Sequence, residues 1–272
     1  MHTSTGKPIV PPEGALANTR VLVTRPVHQA DTLARLIASH GGEAVRFPTI
    51  EILEPSDHTA VSALLDRLHE FHIAIFISAN AVERGVSMIE SRRATLPRQL
   101  QVACVGRSSA SELRRFGVMA PIMPARRFDS EGLLALPQLT HVQDKNIIIF
   151  RGEGGRTLLA ETLEGRGAHV AYAECYRRAK PNADNTALLR RWSRGEIDIV
   201  TATSVEGLRN LFDMVGPRGR KWLIDTPIVV VSRRMTQVSA KLGFAHSCVA
   251  EQADDEAIVD AIKAWRVSQN SL

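Results

Sequence analysis

The run IIIFRGEGGR, residues 147–156, passes from four apolar residues into a glycine-rich turn and then into the helix-like stretch TLLAETLEGRG. A strand, a glycine turn and a helix N-terminus together present free backbone N–H groups and the positive end of a helix dipole, which suits a phosphate or a carboxylate. The nucleotide fingerprint is incomplete. Thr157 stands where G-x-G-x-x-G needs its third glycine, and no G-K-[ST] ending follows. His69 and His72 flank Glu70 in HEFH, but the H-E-x-x-H spacing is missing and no third ligand is evident, which argues against a metal site. No G-x-S-x-G elbow marks an α/β-hydrolase.

The arginine of that turn has a counterpart. VLVTRPVHQADTLARLIASHGGEAVRF begins at Val21, and IIIFRGEGGRTLLAETLEGRGAHVAYA begins 126 residues later, so that Arg25 falls on Arg151, Leu33 on Leu159 and Gly41 on Gly167. VACVGRSSASELRRFGV and IVVVSRRMTQVSAKLGF keep the same offset, with Arg107 on Arg233 and Gly117 on Gly243. A third pair, IAIFISANAVERG with IDIVTATSVEGLRNL, aligns at an offset of 124, Ile77 on Thr201. Three pairs in one order indicate an internal duplication.

Each copy alternates a short apolar run, a polar turn and an amphipathic segment closed by glycine. This pattern predicts buried parallel strands alternating with helices. Strands are expected near residues 21–24, 44–47, 73–77 and 101–105, with a weak one at 119–122 and counterparts in the other half. In such sheets ligands sit at the carboxyl ends of the strands. The shared Arg25 and Arg151, with Gly152 beside the second, therefore read as paired anion-contacting turns facing one another across a cleft. Taken singly, each is equally a tight turn bearing a surface arginine.

The 272 residues suffice for about two domains, and 44% apolar with 23% charged residues describes a soluble globular chain. No apolar run reaches the ~18–20 residues of a membrane span, and residues 1–19 lack a signal-peptide core, so a cytoplasmic protein with a flexible leader is expected. Cys104, Cys175 and Cys248 are odd in number and lie in apolar stretches, which predicts buried, reduced thiols. A net charge of +5 would permit nucleic-acid binding. Without a basic stripe and stacking aromatics, an acidic small molecule fits better.

The ordered series VLVTRP, FPTIEI, FISANAVE, VGRSSASELRRFG, RGEGGRTLLAETLEGRGAHV leading into ECYRR, and VSRRMTQVSAKLGF resembles the uroporphyrinogen-III synthase family over roughly residues 20–265. The resemblance implies two flavodoxin-like, doubly wound parallel-sheet α/β domains joined by two extended linkers near 49–54 and 176–181. Domain one would comprise residues 20–48 with 179–267, and domain two residues 49–178, including both linkers. The implied substrate is hydroxymethylbilane, a linear tetrapyrrole polycarboxylate, cyclised without metal or organic cofactor. No nucleic acid or membrane takes part, and a transient contact with hydroxymethylbilane synthase is the other partner implied. A monomer is expected.

The same resemblance makes Tyr176 the catalytic candidate, assisting hydroxyl departure. An ordinary phenol, with a pKa near ~10, does this better by orientation than by proton donation. Ser109 takes a place where relatives carry a helix-start hydroxyl, and an N-cap role competes with substrate binding there. Ser78, Asn80, Thr203 and Ser204 would supply donors to carboxylates, again with capping as the competing role. Ser232 and Arg233 are the polar candidates on the last turn. Asp254, Asp255 and Glu256 would suit the start of the final helix. A non-catalytic two-domain sensor or carrier of an anionic metabolite is the other reading, since fold does not fix function.

Overall fold

The structure, a computed structural model, describes residues 14–92 and 95–269. In chain order the elements are β1 (Arg20–Val23), α1 (Val27–Ser39), β2 (Glu43–Arg46), β3 (Glu51–Leu53), α2 (His58–Asp66), a 3-10 turn (Leu68–Glu70), β4 (Ile73–Phe76), α3 (Ala79–Ser91), β5 (Gln101–Cys104) and α4 (Arg107–Arg115). There follow α5 (Ser130–Leu134), α6 (Pro137–Thr140), β6 (Asn146–Gly152), α7 (Leu158–Gly165), β7 (His169–Ala179), α8 (Thr186–Ser193), β8 (Ile199–Ala202), α9 (Val205–Met214), α10 (Gly216–Asp225), β9 (Ile228–Val230), α11 (Arg233–Lys241), β10 (Ser247–Val249) and α12 (Asp255–Gln269). They form an α/β fold with two sheets and two compact units, one of residues up to 51 together with those from 180 onward, the other of residues 52–179.

Unit one holds the sheet β2-β1-β8-β9-β10, parallel throughout, with Val21 opposite both Ala44 and Ile199, and Val229 opposite both Thr201 and Cys248. Alternate residues of a strand point to opposite faces, and here both faces are covered. Val21, Val23, Ile199 and Val229 pack with Leu33 and Ile37 of α1 and Ile258 and Ile262 of α12. Leu22, Val200, Ile228 and Val230 pack with Trp192 of α8, Leu208 of α9, Leu223 of α10 and Met235 of α11. Two-sided burial explains why these strands read as continuous apolar runs rather than alternating ones. Each fully buried Leu or Ile contributes roughly 1.5–3 kcal/mol.

The leader expected through residue 19 ends earlier. Leu16 is fully buried in the first of these cores and its N–H donates to the His40 carbonyl at 2.8 Å. A single leucine between two alanines carries no periodicity from which this packing could be read. Residues 1–13 lie outside the described ones.

Unit two holds the sheet β3-β7-β6-β4-β5. The pairs β7–β6, β6–β4 and β4–β5 are parallel, with Ile73 opposite both Ile147 and Gln101. The weak fifth strand is reduced to an isolated parallel bridge between Ala103 and Ile122. Phe76 and Phe150 stack at 4.5 Å on adjacent strands. Gly85 of α3 rides over Phe150, and a Cβ there would lie 2.6 Å from the ring. The expected connecting segments overlap β3 and the end of β7, so ladder pairing extends them.

One register differs from expectation. Ser78 and Ser204, 126 positions apart, are both helix N-caps, of α3 and α9, and β4 and β8 begin 126 apart as well. The offset of 124 is a slip of two residues. A slip of two keeps every side chain on its own face of a strand, so an apolar pattern does not resist it.

Candidate active site

At the end of β6 the ladder with β7 is irregular. Arg151 lies opposite Glu174, but Gly152 lies opposite Tyr176, so Cys175 is the extra residue of a bulge. Bulges re-aim the side chains that follow them. Here the bulge brings the Tyr176 ring over Gly152, where a Cβ would lie 2.7 Å from ring atoms Cε2 and Cζ. The Tyr176 hydroxyl is 3.1 Å from Ser78 Oγ, and Ser78 Oγ also accepts the Ala81 N–H at 3.1 Å as the N-cap of α3. Capping and contact with the tyrosine are thus combined in one hydroxyl. Tyr176 is buried and Ser78 half-buried.

Arg151 does not face outward. It is 3% exposed, its Nε donates to the Gly152 carbonyl at 3.1 Å, and its guanidinium lies 4.5 Å over the Tyr172 ring. Glu174 stands 3.7 Å away as counter-ion and also accepts the Gly154 N–H at 3.3 Å. The glycine turn closes around the guanidinium. Gly154 and Gly155 have φ of +68° and +101°, and a Cβ on Gly155 would lie 2.8 Å from Arg151 Nη2. Cys175 donates its thiol hydrogen to the Arg151 carbonyl at 3.3 Å, and burial pushes that thiol up to about 12. Cys104 is likewise buried, its thiol pushed by burial up to about 11, and all three cysteines are free.

In unit one Arg25 pairs with Asp255 at the start of α12, both side chains largely covered. Asp254 caps that helix by accepting the Ala257 N–H at 2.9 Å. Arg25 and Arg151, both expected to contact an anion, are thus each held in an ion pair. Each is neutralised by a carboxylate of its own unit, one of them 230 residues distant in sequence.

Ser204 accepts the Gly207 N–H at 3.0 Å as N-cap of α9, and the half-buried Thr203 precedes it. Asn80 lies in the first turn of α3. Ser232 is the N-cap residue of α11 without a capping side-chain bond, and the exposed Arg233 opens that helix. Ser109 is corrected as a cap. Gly106, in extended conformation, is the N-cap of α4, which leaves Ser109 buried at the third helical position. His72 Nδ1 accepts the Asn146 N–H at 3.0 Å, a structural use of the HEFH stretch.

Ser78 with Tyr176 and Gly152 forms one cluster at the strand ends of unit two, and Thr203, Ser204, Ser232 and Arg233 lie at strand ends and helix starts of unit one. Glu174 has no signal of its own in the sequence, and the places of Gly155 in a glycine turn and Asp255 at a helix start do not name their partners. Their roles follow from contacts with the two arginines.

The family model described as uroporphyrinogen-III synthase HemD matches residues 31–260. The chain belongs to the uroporphyrinogen-III synthase family. The uroporphyrinogen-III synthase of Escherichia coli K12 is 32% identical over 244 residues, which cover 89% of this chain and 99% of that one. A putative uroporphyrinogen-III synthase of Methanothermobacter thermautotrophicus is 29% identical over 249 residues, 90% and 97% of the two chains. Among solved structures, a mutant uroporphyrinogen III synthase of Thermus thermophilus has a TM-score of 0.61 at 16% identity, covering 92% of this chain and 99% of that one. The Helicobacter pylori enzyme has a TM-score of 0.56 at 12% identity, covering 91% and 99%. These two likenesses show that the fold is the one found in this synthase family. Among the described residues no helix is long and apolar enough to cross a membrane.

Proposed function

We propose that this member of the family closes hydroxymethylbilane to uroporphyrinogen III. Loss of the terminal hydroxyl as water gives an azafulvene. The far pyrrole ring attacks through its substituted carbon to form a spiro intermediate, and reclosure leaves that ring inverted. Unassisted closure gives the uninverted isomer, so the protein's contribution is to hold a flexible polyanion in one folded arrangement, a matter of positioning more than of acid–base strength. The observation that carries the reading at residue level is the Tyr176 hydroxyl 3.1 Å from Ser78 Oγ at the carboxyl ends of β7 and β4. Strand ends of this kind are where open parallel sheets take ligands.

In this reading Tyr176 orients the departing hydroxyl. Ser78, Asn80, Thr203, Ser204, Ser232 and Arg233 supply donors to the substrate's carboxylates. The bilane closes spontaneously in water, so its transfer from hydroxymethylbilane synthase through a transient contact belongs to the same proposal, as does action in the cytoplasm as a monomer. The two units are two flavodoxin-like domains from a duplication, exchanged so that each takes two strands from one copy and the rest from the other. Supporting this, α4 and α11 begin 126 residues apart, as do β1 and β6. The segments near 49–54 and 176–181 are the two linkers.

The test supplies hydroxymethylbilane enzymatically, oxidises the products and separates the isomers. Predominantly type III product is expected, with Tyr176→Phe lowering kcat on the order of 10-fold or more. Type I product alone would refute the proposal.

A further inference from the structure

The glycine turn at the end of β6 closes around a guanidinium of the protein itself, that of Arg151. The turn also contacts the tyrosine. Gly152 is not there for backbone freedom, because its φ is outside the left-handed region that Gly154 and Gly155 occupy. It is there for room. Any Cβ would stand 2.7 Å from two atoms of the Tyr176 ring, nearer than such atoms approach, and the ring is enclosed at 3% exposure.

We infer that the Arg151–Gly155 turn is a seat that fixes the Tyr176 hydroxyl against Ser78, with Gly152 as a positioning residue and Arg151 as the pin that holds the turn closed. Three observations converge. The bulge at Cys175 places Tyr176 opposite Gly152, and the Glu153 N–H donates to the Tyr176 carbonyl at 2.8 Å, so backbone and ring of the tyrosine are held by consecutive residues of the turn. Arg151 fastens the turn from inside through the Gly152 carbonyl, with Glu174 balancing its charge. Gly155 leaves space for Arg151 Nη2 at 2.8 Å from where a Cβ would be. The phenol oxygen is thus located by a rigid strand end, not by the mobility of its own side chain. A displacement of about 1 Å at such a group is enough to cost on the order of 100-fold in rate.

The inference rests on the proposed role of Tyr176, and the experiment separates the two. Gly152→Ala, Tyr176→Phe and the double variant are assayed for kcat, KM and isomer ratio, with folding monitored by circular dichroism and the urea midpoint. Expected is a kcat for Gly152→Ala on the order of 10- to 100-fold below the parent with KM within about 2-fold, and a double variant no slower than Tyr176→Phe alone, because residues acting as one unit are not additive. Multiplicative losses in the double variant would overturn the inference, since Gly152 would then act independently of the hydroxyl. Normal kcat in Gly152→Ala beside a slow Tyr176→Phe would overturn it too, while leaving the tyrosine's role intact. Normal kcat in Tyr176→Phe would refute that role and the seat with it. If Gly152→Ala does not fold, Gly155→Ala loosens the turn from its far side, and the same kcat loss at constant KM and the same non-additivity with Tyr176→Phe are required.

Discussion

The turn after β1 and the end of β6 carry arginines 126 residues apart, yet they use them in opposite ways. In unit one Arg25 is followed by Pro26, the N-cap residue of α1, and its guanidinium reaches across to Asp255 on the last helix. In unit two Arg151 is followed by Gly152, and its guanidinium turns back into its own loop. The residue after each second-strand counterpart differs as well. Ile50, buried, stands where the repeat places Tyr176, and Thr49 stands where it places Cys175. One arginine clamps a helix from a distant part of the chain, and the other shapes a turn beneath a phenol. The same residue type does two different jobs at matching places, and only unit two has a tyrosine where the other has Ile50.

The widest separation between the two turns is expected from their arginines. Arg151→Ala should remove the pin, lower kcat on the order of 100-fold, and cost about 2–4 kcal/mol by leaving a cavity and unpaired carbonyls. Arg25→Ala should cost about 1.5–3 kcal/mol, the range for a hydrogen bond to a charged group, with kcat within about 3-fold. Urea midpoints with steady-state kinetics check both. Equal kcat losses would erase the contrast.

A narrower contrast lies in the two capping serines. Ser78→Ala and Ser204→Ala should each cost about 1 kcal/mol of stability, as lost N-caps do. Only the first removes a partner of the Tyr176 hydroxyl, so kcat should fall on the order of 10-fold for Ser78→Ala and less for Ser204→Ala, where loss of the proposed carboxylate donor should appear as a raised KM. A large kcat loss in Ser204→Ala, at unchanged fold, would extend the tyrosine's territory to unit one.

The smallest effect is one of pH. Burial raises the Cys175 thiol from an ordinary 9.0 to about 12, so the folded state keeps the thiol protonated where the unfolded chain ionises. Its contribution is full below about pH 9 and lost as pH rises toward 12. Thr49, at the equivalent place, does not titrate in that window. The thermal midpoint of Cys175→Ala should therefore decline less steeply between about pH 8.5 and 10 than that of the parent. Parallel curves would contradict it.

Much of this architecture could be read from the residues, and the omissions share a cause. Strands buried on both faces announce themselves as apolar runs, and IIIF or IVT needs little context. Short helices such as α5 and α6, and the bridge at Ile122, draw their order from packing and leave weak patterns. At the site, residue types and strand ends could be read, but partners could not. Nothing local in VTRP points to Asp255, and RGEGG reads as an open anion loop until the guanidinium is seen inside it. Ser109 reads as a cap because Gly106, which has no side chain to cap with, takes that position unannounced. Long-range pairing decides these cases, and spacing along the chain does not encode it.

In the first sheet β1 lies between β2 and the central strand β8, and it pairs with β8 across 178 residues, from Val21 to Ile199. On a ribosome the two are made at different times. At ~5–20 residues per second, the interval between the end of the first segment of unit one and the start of β8 is roughly 7–30 s. During that interval unit two, whose residues are contiguous, is completed, while Val21, Leu22 and Val23 wait without their neighbour. The newborn chain thus carries an apolar strand with one of its two neighbours missing until its second half arrives, and the order of synthesis makes unit one the later of the two units to be completed.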